Sequence, residues 1–210
     1  VDMVNCAIYR NAWTGAAATT GGMLAVTNST LHANSTGAYV EDATLVLSNS
    51  LVTGNASSGV YPKGAAALSV AFCDVYNQPS SYGNYRNTTS RTGDNGNISA
   101  DPLYMDEPTN DYQLQDGSPA IDAGTSSGAP SHDLIGRLRY DHPTIANAEA
   151  GLRGYVDMGT YEYGGLDPLD IDLVTSTVVG PAIGTQDGTI NVAWTVSNTG
   201  SDNATRAWVD

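Results

Sequence analysis

The sequence predicts an all-β chain that opens as a parallel β-helix with about 21–23 residues per coil. Three observations carry this. An aliphatic anchor recurs at near-constant spacing, further aliphatic rows precede it at fixed offsets, and asparagine recurs where the chain has to bend.

The anchors are Ile8, Leu31, Val52 and Val75, spaced 23, 21 and 23 residues. Seven residues before them stand Val1, Leu24, Leu45 and Leu68, and five before them Met3, Val26, Leu47 and Val70. Cys6, Ser29, Ser50 and Cys73 stand two before the anchors. Offsets −7 and −5 fit one strand and −2 and 0 another, because side chains alternate with period two. The odd step between −5 and −2 demands a corner at −4 and −3. Asn5, Asn28 and Asn49 occupy −3, and Asn tolerates the left-handed backbone of such a corner. Stacked coil on coil they can bond amide to amide in a ladder. A second row, Asn11, Asn34 and Asn55, marks the next corner, and a looser third strand follows at 15–18, 37–40 and 59–61. Three strands per coil at this period are the mark of a β-solenoid. The same register puts Cys6 and Cys73 three coils apart, roughly 14 Å at about 4.8 Å per coil, too far to bridge.

Charge divides the chain. Residues 1–93 hold four acids and four bases, so 94–210 hold the other 18 acids against four bases, the whole net charge of −14. Such a field excludes nucleic acid as a partner, and no apolar run approaches the roughly 18 residues that direct membrane insertion requires.

From Phe72 onward several motifs occur together: C73-D-V-Y-N77, N97-I-S-A-D-P-L-Y-M-D106, D111-Y-Q-L-Q-D-G-S-P-A-I-D-A-G124, D133-L-I-G-R-L-R139 and D157-M-G-T-Y-E-Y163. They resemble the last coils of bacterial right-handed β-helix repeat proteins and the C-terminal module of the choice-of-anchor Q family, over about residues 70–164. Arg137 and Leu138 depart from the small polar residues usual there. Residues 170–210, with D187-G-T-I-N-V-A-W-T-V-S-N-T-G200, resemble the start of a CARDB domain, an adhesion-related immunoglobulin-like fold. Alternation in Ile190, Val192, Trp194 and Val196 supports a half-buried strand there, with a turn at Asn198-Thr199-Gly200. The full expectation is a right-handed parallel β-helix (1–100), a C-terminal capping module (101–164), then a linker and partial immunoglobulin-like β-sandwich (165–210). The chain reads as a fragment, beginning inside a repeat and ending inside a domain. Residues 101–164 are expected to close the open end of the solenoid with Leu103, Tyr104, Tyr112, Leu114, Ile121, Tyr155, Met158 and Tyr161. Asp122 and Asp157 are expected to cap backbone rather than to catalyse.

No catalytic cluster is legible. Asp2, Glu41, Asp42 and Asp74 do not align on the coils. Tyr9, His32, Thr53 and Tyr76 form an outward row in which His32 has no evident carboxylate partner and is expected to face solvent. His132 and His142 lack metal-ligand spacing. The polar loop 78–96 is either a binding loop or a flexible crossover, and its Tyr82, Tyr85 and Arg86 are the candidate glycan contacts. Calcium is the ion that the oxygen-rich loops 94–97 and 106–111 would suit. The expected role is a non-catalytic structural or adhesive portion of an extracellular or cell-surface bacterial protein. Its partners are the rest of its own polypeptide, glycans or neighbouring copies. Two alternatives stand: the tail of a polysaccharide lyase, hydrolase or epimerase with its active site upstream, and a filament subunit completed by a neighbour's strand.

Overall fold

The computed structural model describes residues 1–148 and 154–165, and of the remainder the backbone of two strands, Leu173–Val179 and Ala193–Asn198. It divides into two compact units, Val1–Gly165 and Leu166–Asp210.

The first unit is a parallel β-solenoid of about three turns. Its first face stacks β1 (Asp2–Val4), β4 (Met23–Thr27), β7 (Thr44–Ser48) and β10 (Ala67–Ala71). The second face stacks β2 (Ala7–Tyr9), β5 (Thr30–His32), β8 (Leu51–Thr53) and β11 (Asp74–Tyr76). The third stacks β3 (Thr14–Thr19), β6 (Thr36–Glu41) and β9 (Ser58–Lys63). The anchors pair in register, Ile8 with Leu31, Leu31 with Val52 and Val52 with Val75. Leu24, Leu45, Val26, Leu47, Leu31, Val52 and Val75 are buried in the enclosed core. Each contributes about 1.5–3 kcal/mol by leaving water.

The first corner lies where the parity argument puts it. Asn5, Asn28, Asn49 and, in the last coil, Phe72 all have φ between 43° and 51°. The second corner carries its left-handed residue one position before the Asn row, at Arg10, Ala33, Gly54 and Asn77. The third strand is not loose. At six residues per coil it is the longest of the three. Its second position is a glycine row, Gly15, Gly37 and Gly59, where a Cβ on Gly37 would stand 2.5 Å from Val52 Cγ1 and 2.6 Å from the Gly59 carbonyl oxygen.

The asparagine rows do more than stack on themselves. Asn49 Nδ2 donates to Asn28 Oδ1 (3.1 Å) and Asn11 Nδ2 to Asn34 Oδ1 (2.8 Å), one amide rung in each row. Otherwise the second row bonds backbone: Asn34 Nδ2 donates to Ile8 O and Asn55 Nδ2 to Leu31 O. The first row reaches sideways. Asn5 Nδ2 donates to His132 O, Asn28 Nδ2 to Asp157 O and Asn49 Nδ2 to Thr125 O, while Asn49 Oδ1 accepts from Thr125 N. Cys6 and Cys73 are free thiols, and burial pushes Cys73 up to about 12.

Those sideways bonds revise the expected cap. Residues 78–100, not 101–164, cover the end of the last coil. Tyr85 bridges in parallel to Val60 and Ile98 to Asp74. Asn97 Oδ1 accepts from Cys73 N while its Nδ2 donates to Val70 O. The polar loop is therefore a further partial coil. The chain then turns back along the outside of the second face. It makes an antiparallel pair, β12 (Tyr104–Asp106) with β13 (Asp111–Leu114), around a 3-10 turn at Glu107–Thr109. Arg10 Nη2, in the first coil, donates to the carbonyls of Glu107 and Pro108. A second core of Leu51, Leu114, Ala120, Ile121 and Met158 forms beneath this segment. Of the expected covering residues, Tyr112, Leu114, Ile121 and Met158 are buried, whereas Leu103 is exposed.

In the second unit β14 (Leu173–Val179) pairs antiparallel with β15 (Ala193–Asn198). Ile190, Val192 and the turn residues Thr199 and Gly200 lie outside the described residues.

Candidate functional site

The outward side of the third face carries an aligned row of aromatic and charged side chains. Strand alternation turns Ala38, Val40 and Val60 inward and leaves Tyr39, Glu41, Tyr61 and Lys63 on the outside. Tyr39 and Tyr61 stand in register, their ring centroids 5.2 Å apart. The end-covering segment extends this row by one level. Val60 pairs with Tyr85, and Arg86 N donates to Val60 O at 2.9 Å, which seats Arg86 next after Tyr61. Its guanidinium carbon lies 4.1 Å from the Tyr61 ring centroid and 3.8 Å from that of Tyr82. Tyr61, Arg86 and Tyr82 are thus one stack. Beside it Glu41 accepts from Tyr39 Oη (2.6 Å) and Lys63 Nζ (2.6 Å), which hold its carboxyl below its usual range.

Of the three residues predicted from sequence as glycan contacts, the structure brings Tyr82 and Arg86 together. Tyr85 turns inward against the core, and burial raises its phenol. Tyr39 and Tyr61 were missed, although each stands two residues after its coil's glycine in Gly37 and Gly59, and that phase could have revealed them.

The second face holds a different constellation. His32 is 3% exposed and Thr53 2% exposed, so the expectation that His32 faces solvent without a carboxylate fails on both points. The returning segment covers the row: His32 Nε2 lies 2.8 Å from Glu107 Oε1, and Nδ1 lies 2.9 Å from Thr53 Oγ1. Thr53 Oγ1 is in turn 2.9 Å from Tyr104 Oη, and Tyr112 packs on the imidazole at 4.9 Å. Burial lowers the pKa of His32 and outweighs the pull of Glu107. A neutral ring donating from Nε2 to Glu107 and accepting at Nδ1 from Thr53 satisfies every partner. Carboxylate, imidazole and hydroxyl are aligned as in a nucleophile relay, but the hydroxyl is enclosed. The adjoining cavity, about 80 Å³, is too small for a sugar ring. The arrangement fastens the returning segment to the coils.

That segment is held internally by carboxylates. Asp122 Oδ2 accepts from His142 N, Asp157 Oδ1 from Asp122 N, and Asp133 Oδ2 from Glu162 N. Glu162 accepts from Arg139 Nη1 (2.7 Å), Tyr140 N (2.8 Å) and Asp157 N (3.3 Å). Asp122 and Asp157 therefore cap backbone, as expected. Burial raises Asp122, Asp157 and Glu162, the last to about 7 against the opposing pull of Arg139. Every partner of the Glu162 oxygens is a donor, the environment of an ionised carboxylate.

Among the described residues no three His, Cys, Asp or Glu side chains converge as a metal site. In the loop at 94–97, the amide of Asn97 is committed to Cys73 and Val70. No family model, no curated protein and no solved structure matches the chain.

Proposed function

We propose that this chain is a non-catalytic, structural and adhesive portion of a large secreted or surface-attached bacterial protein, and that the third face of its solenoid binds glycans. The carrying observation is the in-register row of Tyr39, Tyr61 and Arg86 closed by Tyr82. Outward tyrosine rings offer a flat, amphipathic surface on which sugar rings pack, and the guanidinium held between two of them adds N–H donors at its edge. The motifs of residues 70–164 and 170–210 support the wider reading: a right-handed helix, the hand that parallel crossovers overwhelmingly take, ending in a choice-of-anchor Q-like module and followed by a CARDB-like sandwich. The rod then serves as a stiff spacer that carries the glycan-binding face.

A glycan array probed with the chain and with Tyr61→Ala and Tyr82→Ala tests this. Binding that falls about two- to tenfold in either variant is expected, since a stacking contact contributes about 0.5–1.5 kcal/mol. Wild-type chain that retains no glycan sinks the adhesive reading. Release of unsaturated sugars from acidic polysaccharide by a longer form containing further coils would favour the lyase alternative.

A further inference from the structure

Resting on that reading, the geometry points to an anionic sugar as the ligand, one whose carboxylate or sulfate is received by the edge of the Arg86 guanidinium.

Both flat faces of this guanidinium are occupied, by Tyr61 at 4.1 Å and Tyr82 at 3.8 Å. Only its edge, where the N–H donors lie, remains to meet a ligand. That edge has no acidic partner. Among the described residues the ion pairs are His32–Glu107, Lys63–Glu41, Arg139–Glu162 and His142–Asp116, and Arg86 enters none of them. Its Nε is buried with no hydrogen-bond partner, so a ligand meets the guanidinium at its two Nη groups, which are not buried in that way. A buried donor without an acceptor costs about 1–3 kcal/mol, and in a chain of net charge −14 carboxylates are not scarce. A pinned planar fork kept free of internal carboxylates is preorganised for an external planar or tetrahedral anion.

The surroundings continue the theme. Directly after Arg86, Asn87 and Thr88 line a cavity of about 290 Å³ that also includes Lys63, Leu68 and Arg91. Arg91 likewise enters no ion pair among the described residues. Lys63, Arg86 and Arg91 are three of the chain's eight basic residues, gathered around the last coil and its cover. Amide, hydroxyl and ammonium donors beside a stacking platform suit the hydroxyls of one sugar while its neighbour's acid group meets Arg86. A neutral glycan offers that edge only hydroxyl and ether oxygens, weaker acceptors than a charged carboxylate or sulfate.

The test is calorimetric titration of the full chain with three tetrasaccharides: a neutral galactan, a galacturonate and a sulfated galactan. The expected result is that at least one acidic tetramer binds about tenfold tighter than the neutral one, with the two acidic arms identifying the anion. Arg86→Gln should erase that margin, and Arg86→Lys should restore only part of it, because an ammonium lacks the fork. Should Arg86→Gln melt far below wild type, Arg91→Gln at the cavity rim reads the same margin. Equal binding of all three tetramers overturns the anionic inference and leaves the glycan-binding reading standing. Binding of none overturns both.

Discussion

The coils and the segment folded back along their second face meet the same demand, satisfying buried backbone, with opposite chemistry. In the coils, Asp74 apart, the buried polar groups are amides, hydroxyls and one imidazole, among them Asn28, Asn49, Asn34, Asn55, Ser29 and Ser50. Each of these six has a partner one coil away, as when Ser29 Oγ accepts from Cys6 N at 3.0 Å, and Asn28 and Asn49 bond the returning segment besides. Repetition guarantees that partner, so a single amide or hydroxyl per level suffices. Residues 101–165 have no repeat to lean on. Beside the neutral Ser118, Thr125 and Thr160 they bury four carboxylates, Asp122, Asp133, Asp157 and Glu162, each of which accepts from at least one backbone N–H. Asp133 alone accepts from Ile135 N, Arg137 N and Glu162 N. An ionised carboxylate has acceptor sites for several donors and makes stronger bonds than an amide. Part of the acidity that sets residues 94–210 apart is thus structural, not a surface field.

The strongest way to break this contrast is Glu162→Ala. Arg139 Nη1 lies 2.7 Å from Glu162, and the two side chains are 8% and 0% exposed. Removing the carboxylate leaves a buried guanidinium without its counter-charge and takes away the acceptor that Tyr140 N and Asp157 N share. A loss of about 3–5 kcal/mol is expected, read by chemical denaturation. The returning segment should loosen first, with hydrogen exchange rising at 120–148 and 154–163 before the coils. A uniform rise across both regions would mean that they do not differ in what holds them.

The pH dependence sharpens the comparison. Asp74 lies on the second face, where its Oδ1 accepts from Ala100 N while its buried Oδ2 has no partner. Burial, its largest influence, raises it from 3.8 to about 7. Its folded pKa therefore exceeds its unfolded one, so the stability it lends is full below about 4 and is lost as pH rises toward about 7. His32 works the other way. Its folded pKa is lowered from 6.5, so its stability is full above that value and is lost as pH falls. Asp74→Asn should shrink the change in unfolding free energy between pH 5 and pH 8 that is due to Asp74, by about 2–3 kcal/mol. Melts of wild type and variant across that range measure it. An unchanged profile would show that Asp74 is ionised and solvated in the folded state.

The two regions were unequally legible for the same reason that they are unequally built. Period-two alternation inside a period of 21–23 residues places each coil residue, so Ile8, Leu31, Val52 and Val75 can be registered without coordinates. The third strand was legible too, but its weak aliphatic signal, Ala16 and Ala38 where the other faces place Leu and Val, hid its length and the outward tyrosines. Arg86 could be suspected as a contact, yet only its pairing level beside Val60 separates it from inward Tyr85. The contact of His32 with Glu107 joins residues 75 apart in sequence by no repeat. Nothing in spacing foretells that a solvent-facing row will be covered by the chain returning along its side.

The smallest predicted effect probes the coils alone. At the second corner the left-handed position holds Arg10, Ala33, Gly54 and Asn77 in successive coils. Alanine is poorly suited there, because its Cβ crowds the following carbonyl in the left-handed region, at a cost of about 1–2 kcal/mol. Asn relieves this through local hydrogen bonding and, unlike Gly, does not add freedom to the unfolded chain. Ala33 has φ of 53° and is half-buried, and the same position in the neighbouring coil accommodates Arg10. Ala33→Asn should stabilise the chain by about 0.5–1 kcal/mol, a rise in Tm of a few degrees or less for a unit of this size. If the gain is real, hydrogen exchange should slow in β5 and β6, which flank the corner, while residues 120–148 stay unaffected. Destabilisation would mean that the corner is governed by packing against Thr53 and His32, not by the backbone preference that the repeated asparagines express.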